Sequence, residues 1–378
     1  MPTETGRAEE EIVQGQARKL LVAGASGVVG RAMLRHFGAA GGWDLTGLSR
    51  RLLDVPDSVR VLPLDLQDPA ACEAAVAAQL SDTTHLAYCA TYEKPNLLAG
   101  WLDPDHAAVN EAMLLNLVEP LRQHAKKLEA VLVMQGTKAY GAAAGTFKLP
   151  AKEEDPRALV PNFYYGQEDY IRAAAAADGW RWTALRPQFV CGFALGSPMN
   201  GLSGVAAYAS ISRELGLPLR FPGGPGRVME ATDSRLLARA AEWALLNPAC
   251  NGETFNIVNG DVFTWESLWP KVAQYFGMAV AVPTPARLAR IMPSHTATWR
   301  RLAERYGLRH HDLGELVPNW GMTDYLLGYK TPLEPMLLSG IKARQAGFND
   351  CIDSERMVLE WIDILRAERI IPAQEEQA

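Results

Sequence analysis

The stretch Lys19-Leu-Leu-Val-Ala-Gly-Ala-Ser-Gly-Val-Val-Gly30 places a short, continuous apolar run directly before three spaced glycines. Such a run is typical of a strand buried on both faces of a parallel sheet. Residues 28–37 then have the apolar spacing of an amphipathic helix. Strand, glycine turn and helix in this order predict a turn whose backbone amides bind the pyrophosphate of a dinucleotide. The alternative is a tight turn that binds no ligand.

The remainder of the N-terminal half continues this alternation. Further strands are predicted at 43–48, 60–63, 85–89, 130–134 and 181–185, and helices at 69–79, 110–123 and 165–177. Alternating strands and helices predict the α/β class, with a doubly wound parallel sheet of the Rossmann type and right-handed crossovers. One more strand of this sheet is predicted much later in the chain, at 254–258.

We expect four parts along the chain. Residues 1–16 are polar and acidic, which predicts a disordered lead-in and not a signal peptide. The nucleotide-binding domain spans 17–190. A smaller, mainly helical substrate lobe comprises 191–253 and 264–350, with Gly-, Pro- and Ser-rich loops at 192–226 and many aromatic residues after 264. Residues 351–378 form a C-terminal helix and tail.

Composition argues against several classes of function. With 43 acidic and 37 basic residues the net charge is −6, and no basic block suggests a nucleic-acid surface. The five cysteines are scattered, so we expect reduced thiols, a cytoplasmic location and no metal site. Charges interrupt the apolar stretches before about 18 residues, so no membrane span is expected. We expect a monomer or a homodimer.

The end of the second predicted strand bears on the choice of cofactor. Residues 47–51 contain no acid to bind a ribose 2′-hydroxyl, and they end in Arg50 and Arg51. Paired arginines can bind a phosphate bidentately, so this turn predicts NADPH; the alternative is a solvated basic turn. After the third strand, Asp65 is placed either to contact the adenine or to cap a helix.

A tyrosine and a lysine are the candidate catalytic pair. Tyr164 lies in Asn162-Phe-Tyr-Tyr-Gly-Gln-Glu-Asp169, about where a short-chain dehydrogenase would have Tyr-x-x-x-Lys, but the residue four positions on is Glu168. A lysine occurs instead at Lys138, in Gln135-Gly-Thr-Lys-Ala-Tyr-Gly141. Either Lys138 takes over the missing position, or the chain binds a nucleotide without catalysis.

Longer motifs are similar to one branch of the extended short-chain dehydrogenase/reductase superfamily, the progesterone 5β-reductase/iridoid synthase-like enzymes. The segments that resemble this family are Gly136-Thr-Lys-Ala-Tyr140, residues 162–169, Leu185-Arg-Pro-Gln-Phe-Val-Cys-Gly-Phe193, Phe255-Asn-Ile-Val-Asn-Gly-Asp-Val-Phe-Thr-Trp265 and Trp361-Ile-Asp363. The resemblance covers nearly the whole chain. It departs from the plant enzymes after Lys138, where they continue with His and Gly-Pro-Phe and this chain has Ala139 and Gly141-Ala-Ala-Ala-Gly145.

The resemblance implies NADPH-dependent reduction of the C=C bond of α,β-unsaturated carbonyl compounds, such as cyclic enones, monoterpenoids or 3-oxo-Δ4-steroids, with Tyr164 and Lys138 as the catalytic residues. Hydride addition to the β-carbon leaves negative charge on the carbonyl oxygen, which a donor from Tyr164 would stabilise as an enolate. Lys138 would lower the pKa of the phenol. Gln135-Gly136 replace the serine of alcohol-type relatives, which argues against proton relay to oxygen.

Two sets of site residues are predicted. The cofactor-binding set is Gly24, Ser26, Gly27, Val28, Val29, Gly30, Ser49, Arg50, Arg51, Asp65, Leu66, Tyr88, Gln135, Lys138, Tyr164, Pro187 and Val190. The substrate-pocket set is Tyr92, Ala144, Met199, Tyr208 and Trp320, and the methionines Met322 and Met336 also suit an apolar pocket.

Several alternatives stay open. Tyr165 competes with Tyr164 for the position facing the cofactor, and Lys138 is alternatively a solvated loop lysine. A nucleotide-sugar epimerase or dehydratase is a second enzyme hypothesis, weakened by the missing Tyr-x-x-x-Lys. A non-catalytic NADP(H)-binding regulator is a third, which the lost motif would permit.

Overall fold

The computed structural model describes residues 18–51, 53, 55–94, 97–145, 147–226, 228–329 and 335–374. Within these residues the strands are β1 (Arg18–Ala23), β2 (Trp43–Ser49), β3 (Val59–Pro63), β4 (His85–Tyr88), β5 (Ala130–Met134), β6 (Arg181–Pro187), β7 (Val190–Cys191), β8 (Leu219–Arg220), β9 (Val228–Met229), β10 (Thr232–Asp233), β11 (Glu253–Ile257), β12 (Phe263–Thr264) and β13 (Val280–Ala281). The predicted lead-in, residues 1–16, lies outside the described residues.

The helices of the same residues are α1 (Val28–Ala40), α2 (Pro69–Ala75), α3 (Leu97–Gly100), α4 (Pro104–His124), α5 (Phe163–Asp178), α6 (Gly201–Glu214), α7 (Ser234–Leu246), α8 (Trp265–Tyr275), α9 (Leu288–Ile291), α10 (Thr296–Tyr306), α11 (Leu313–Leu316), α12 (Trp320–Leu326), α13 (Ile341–Gln345) and α14 (Ser354–Ala367). Short 3₁₀ turns occupy Thr137–Tyr140, Pro248–Cys250 and Met292–His295, and a π-helical segment, Val76–Leu80, continues α2. None of the described helices has both the length and the hydropathy that crossing a membrane requires.

Seven strands form one parallel sheet in the order β11-β6-β5-β4-β1-β2-β3. The order reverses between β1 and β4, and in open α/β sheets ligands bind at the carboxyl ends of the strands at such a reversal. The predicted fold class is therefore confirmed, and the sheet directs the glycine turn after β1 to the expected ligand edge.

Helices cover both faces of the sheet. Helices α4 and α5 pack on one face around Leu114 and Ile171, whereas α1 and α7 pack on the other around Phe37 and Leu237. A separate apolar core holds the C-terminal helices together and is centred on buried tryptophans, among them Trp299. These cores explain the apolar runs of the strands, because both faces of each inner strand are buried.

One expectation for the lobe is wrong. The Gly-, Pro- and Ser-rich segment 192–226 was predicted as loops over a ligand, but it contains the buried helix α6. Asn200 caps this helix by accepting a hydrogen bond from the N–H of Ser203. The small residues serve close packing, since a Cβ at Gly204 would collide with the side chain of Thr323 in α12.

Candidate active site

A cavity of about 710 Å³ lies at the carboxyl ends of the central strands, between the sheet and the C-terminal lobe. Most of the predicted site residues line it. They are Gly24, Ser26, Gly27, Val28, Val29, Gly30, Arg50, Arg51, Gln135, Lys138, Tyr164, Pro187, Val190, Met199, Met322 and Met336. The sheet therefore brings together residues that are more than 300 positions apart in the chain.

The glycine turn has the geometry of a phosphate-binding turn. Gly24 has a φ of +83°, and a Cβ there would lie 2.6 Å from the backbone nitrogen of Ala90. A Cβ at Gly30 would collide with the carbonyl oxygen of Gly24, so this glycine lets α1 pack against the turn. Gly27 opens α1 without a side-chain cap, which leaves the N–H groups of the first turn directed at the cavity. These residues fit a dinucleotide phosphate.

Arg51 lies at the edge of the glycine turn. Its Nη2 is 3.4 Å from Ser26 Oγ, and its Nη1 donates to the carbonyl oxygen of Gly196 at 3.1 Å. Ser49 is buried below this turn and accepts a hydrogen bond from the N–H of Arg51. The guanidinium groups of Arg50 and Arg51 border the cavity, where they are available to an anion.

Hydrogen bonds of one asparagine connect the backbone of the lysine with that of the tyrosine. Asn162 caps α5 by accepting a hydrogen bond from the N–H of Tyr164, and its side-chain amide donates to the carbonyl oxygen of Lys138 at 2.7 Å. The 3₁₀ turn after β5 is thus tied to the start of α5. As a result, Lys138 Nζ lies 5.4 Å from the ring centroid of Tyr164.

The two neighbouring tyrosines have different surroundings. Tyr165 donates its hydroxyl to the carbonyl oxygen of Ala139 at 2.8 Å and accepts from the N–H of Ala158 at 2.9 Å, so its hydroxyl is used within the fold. Tyr164 lines the cavity, and among the described residues its hydroxyl has no hydrogen-bond partner. A Cβ at Gly136 would lie 3.6 Å from Tyr164 Oη, which places the hydroxyl beside this glycine.

Lys138 is held in a cage of aromatic rings. Its Nζ lies 4.7 Å from the ring centroid of Trp101 and 4.9 Å from that of Phe163. Aromatic faces attract an ammonium group, and this attraction partly replaces the water that burial removes. Glu93 adds a carboxylate, with Oε1 3.8 Å from Lys138 Nζ. The side chain of Lys138 is therefore largely enclosed by these groups and is not a solvated loop lysine.

Glu93 is a site residue that the sequence analysis missed. Its Oε2 accepts a hydrogen bond from Trp101 Nε1 at 2.9 Å and lies 3.2 Å from His106 Nε2. A signal existed, because Glu93 closely follows β4 at the reversal of strand order. Trp101, Phe189, Glu230, Tyr325 and Leu326 also line the cavity and were not predicted.

The pKa values of the pair differ from expectation. Burial raises the pKa of Tyr164, and the negative charge of Glu93 raises it further against a lowering by Arg186. The prediction of a lowered phenol pKa is therefore wrong. Burial lowers the pKa of Lys138, and Glu93 opposes this effect. In this environment the phenol keeps its proton at neutral pH, so its hydroxyl is able to donate a hydrogen bond.

Glu168 occupies the position at which a short-chain dehydrogenase has the lysine of Tyr-x-x-x-Lys. Both of its carboxylate oxygens accept hydrogen bonds from neighbouring side chains. Its Oε2 lies 3.0 Å from Arg186 Nη2 and accepts from Gln135 Nε2 at 3.2 Å. Arg172 Nη2 donates to the other oxygen at 3.0 Å. Because Arg186 also donates to Gln135 Oε1, this network fixes the wall behind Tyr164.

Four residues predicted to bind the cofactor lie away from the cavity wall, namely the buried Ser49 described above and Asp65, Leu66 and Tyr88. Asp65 is exposed and accepts a hydrogen bond from the N–H of Gln67. It caps no helix, since Asp68 caps α2. Leu66 and Tyr88 are buried in the core beneath the α4 face of the sheet. Adenine contacts by Asp65 and Leu66 stay a prediction, and so do cofactor contacts by Ser49 and Tyr88.

Four residues predicted for the substrate pocket lie off the described cavity wall. Tyr92 directs its ring towards His106, because its neighbours Thr91 and Glu93 face the cavity and successive extended residues point to opposite sides. Ala144 is exposed, and Ala142 lines the cavity in its place. Tyr208 donates to the carbonyl oxygen of Arg220, and Trp320 is buried in the lobe core.

The sequence has recognisable relatives. Residues 75–372 match the family model of the PRISE-like Rossmann-fold domain. An (S)-8-oxocitronellyl enol synthase from Nepeta racemosa is 28% identical over 383 residues, covering 96% of each chain. A 3-oxo-Δ(4,5)-steroid 5β-reductase from Arabidopsis thaliana is 27% identical with the same coverage. An uncharacterised protein from Schizosaccharomyces pombe is 30% identical over 93% of this chain and 98% of its own.

Solved structures show the same fold at lower identity. The UDP-glucose 4-epimerase of Thermus thermophilus, in complex with NAD, superimposes with a TM-score of 0.64 at 20% identity, covering 92% of this chain and 99% of that chain. The UDP-glucose 4-epimerase of Thermotoga maritima gives the same TM-score at 16% identity, again over 92% of this chain and 99% of that one. At such identities the likeness concerns the fold alone.

Proposed function

This chain belongs to the PRISE-like Rossmann-fold family, and from that premise we propose that it reduces the C=C bond of α,β-unsaturated carbonyl compounds with NADPH. The predicted resemblance to this family is confirmed. The names of its relatives, an enol synthase and a steroid 5β-reductase, support an oxidoreductase of the short-chain dehydrogenase/reductase type.

One observation carries the proposal. The hydroxyl of Tyr164, without a described hydrogen-bond partner, and the caged ammonium of Lys138 belong to the same cavity wall as the glycine turn. A donor and a positive charge beside a dinucleotide site suit a reaction that develops negative charge on a substrate oxygen.

Tyr164 would donate its hydrogen bond to the carbonyl oxygen of the enone. Because burial raises its pKa, the phenol stays protonated and serves as a donor, not as a base. The bond strengthens as the oxygen becomes an enolate, and loss of one such donor typically lowers the rate by about 10²–10³. The enolate then takes its proton at carbon, so no proton relay through Tyr164 is needed.

Lys138 would bind the ribose next to the nicotinamide and hold a positive charge near the reacting oxygen. The rings of Trp101 and Phe163 and the carboxylate of Glu93 stabilise that charge in a buried position. Glu93, itself anchored by Trp101, would set the direction of the ammonium group.

The chain contains a fitting set of groups for NADPH. The glycine turn and the first turn of α1 would hold the pyrophosphate, and Arg50 and Arg51 the 2′-phosphate. When bound, NADPH supplies the hydride that adds to the β-carbon. The lobe side of the cavity includes Met199, Met322 and Met336, which favours an apolar substrate of small or medium size.

Nucleotide-sugar epimerisation is disfavoured by the surroundings of Glu168. A carboxylate paired with Arg186 and Arg172 stands where the epimerase lysine would be needed. A non-catalytic regulator is disfavoured because Lys138 and the Tyr164 hydroxyl face a cavity with room for a substrate beside a nucleotide.

The test is a small panel of enones. The purified protein is incubated with NADPH or NADH and with 2-cyclohexen-1-one, citral and a 3-oxo-Δ4-steroid, and cofactor oxidation is followed by absorbance. Gas chromatography with mass spectrometry then identifies the products. We expect saturated carbonyl compounds, with NADPH preferred over NADH.

The other hypotheses give different results. Tight NADPH binding without turnover of any enone would indicate a regulator, and formation of allylic alcohols would indicate carbonyl reduction. Conversion of a UDP-sugar would support the epimerase.

The proposal includes a cytoplasmic location and a monomeric or homodimeric state. The five cysteines are free thiols, and only Cys351 is exposed, which suits the reducing cytoplasm. A monomer or a homodimer stays a prediction, for which sedimentation or light scattering is the measurement.

A further inference from the structure

Glu230 is a polar group in the lobe side of the cavity that the proposed chemistry does not use. It lies between β9 and β10, and its side chain lines the cavity although the residue is only 7% exposed. Its Oε2 accepts a hydrogen bond from the N–H of Leu338 at 2.9 Å. Among the described residues its other oxygen has no hydrogen-bond or ion-pair partner.

The surroundings of this carboxyl are apolar. Phe189, Met229, Leu326 and Met336 line the same cavity, and Met229 is the chain neighbour of Glu230. Burial raises the pKa of Glu230 to about 8, and the negative charge of Asp261 raises it as well. At neutral pH the group is therefore mainly a carboxylic acid, which both donates and accepts hydrogen bonds.

The position of Glu230 relative to the reacting end is fixed by the backbone. Pro187, which lines the cavity next to Gly136, leads directly to Gln188, and the N–H of Gln188 lies 3.2 Å from Thr232 Oγ1. The N–H of Thr232 in turn donates to the carbonyl oxygen of Phe189 at 2.9 Å. The wall of Tyr164 and the wall of Glu230 are thus joined by hydrogen bonds at the end of β6.

We propose that Glu230 binds a second oxygen of the substrate, a hydroxyl or carbonyl group remote from the enone, and so makes the protein selective for doubly oxygenated enones. This inference rests on the proposed reductase function. A few polar groups in a largely apolar pocket usually fix the orientation of the ligand, and Glu230 is one such group in this cavity. Its unpartnered oxygen explains the selectivity, because an analogue without the second oxygen leaves a buried polar group unsatisfied.

The experiment uses matched pairs of linear substrates. Each pair is a 2-alkenal and the same 2-alkenal with a hydroxyl on its last carbon, from six to ten carbons, assayed with NADPH. We expect kcat/KM to favour the hydroxylated member on the order of tenfold at one or two chain lengths. The chain length with the largest preference measures the distance between the enone and Glu230.

Three variants test whether Glu230 causes the preference for the hydroxylated alkenal. Glu230→Leu should abolish the preference while it retains or improves the rate with plain alkenals, because the carboxyl is replaced by an apolar group. Glu230→Gln should retain most of the preference, because its amide also donates and accepts. Met278→Leu is the control, since Met278 packs on the lobe core outside the cavity wall and its substitution should keep the preference.

The results distinguish an error in the reductase function from an error in the role of Glu230. If the wild-type protein reduces neither member of any pair, nor any enone of the panel above, the reductase function itself is wrong. If it reduces both members equally at every length, the role of Glu230 is wrong and the reductase function stands. Equal losses for both members in Glu230→Leu and in Glu230→Gln would show that the residue only anchors the segment at Leu338, which also overturns the inference.

Discussion

The two walls of the cavity are built by different physical means. The sheet wall holds Tyr164 and Lys138 through strand ends, a helix cap and a cage of rings. The lobe wall includes the methionines Met199, Met322 and Met336 beside other residues of its helices and loops. Hydrogen-bonded strand ends fix atoms closely, whereas thioether side chains adapt to different shapes. The comparison suggests that the sheet wall defines the reaction and the lobe wall defines the substrate.

Removal of the Tyr164 hydroxyl tests the sheet wall most strongly. We expect Tyr164→Phe to lower kcat by about 10²–10³, because the enolate loses its donor. NADPH affinity, measured by fluorescence titration, should change little. The neighbouring Tyr165→Phe is the control; its hydroxyl serves the fold, so it should lower stability by about 1 kcal/mol and change kcat only slightly. Similar losses of kcat in both variants would contradict the assignment.

Removal of the caged charge should have the next largest effect. Lys138→Met keeps a long apolar side chain among the rings of Trp101 and Phe163 but loses the ammonium group. We expect kcat to fall by about 10², within the usual range for a positioned electrostatic group. The control is Lys152→Met, at an exposed position, which should leave kcat unchanged. A Lys138→Met rate near that of the wild type would remove this residue from catalysis.

The cofactor end of the sheet wall is tested by its arginines. Arg50→Ala combined with Arg51→Ala should raise the dissociation constant of NADPH about 10- to 100-fold, since charge-assisted hydrogen bonds to a phosphate are lost. NADH, which lacks the 2′-phosphate, should be affected far less. Calorimetric titration of both cofactors measures the difference, and equal losses would contradict the 2′-phosphate assignment.

Substitution of Glu93 should change the pH dependence of kcat. Its negative charge raises the pKa of Lys138 against the lowering by burial, so Glu93→Gln should lower that pKa. Because the proposed mechanism needs the charged lysine, we expect activity below its pKa and a loss of activity as the pH rises through it. The alkaline limb of the kcat profile should therefore move to lower pH. An unchanged limb, with exposed Glu154→Gln as the control, would exclude this coupling.

The lobe wall should give the smallest effect on the chemistry. Met336→Ala enlarges the pocket, so we expect kcat with 2-cyclohexen-1-one to change by less than about threefold while larger enones gain in relative kcat/KM. Met278→Ala, which packs on the lobe core outside the cavity wall, should lower stability without a change in preference. A large loss of kcat in Met336→Ala would contradict the division between the two walls.

The sheet wall could be predicted from the sequence because its signals are local. The glycine turn, the run of β5 and the residues after it lie next to one another in the chain, and strand ends in a parallel sheet share one edge. Most of the predicted residues on this edge do line the cavity. The meeting of Lys138 and Tyr164 also has a local cause, since Asn162 precedes the helix and caps it.

Other features of the molecule could not be predicted in the same way. Tyr92 and Glu93 are neighbours with opposite directions, so an error of one residue exchanges a core residue for a site residue. Glycine and serine in 192–226 were interpreted as signs of a loop, whereas they permit the close contact of α6 with Thr323. The direction of the pKa shift of Tyr164 needed the depth of burial, which no motif contains.

Arg51 connects the two walls, because one guanidinium group contacts both Ser26 in the glycine turn and the carbonyl oxygen of Gly196 in the lobe. An anion bound to this group shares it with the lobe loop, so the free energies of nucleotide binding and of loop attachment are coupled. Coupling of this kind is reciprocal: whatever the nucleotide does to the loop, the loop does equally to the affinity for the nucleotide. The order in which cofactor and substrate bind is thus a property that a single side chain can influence.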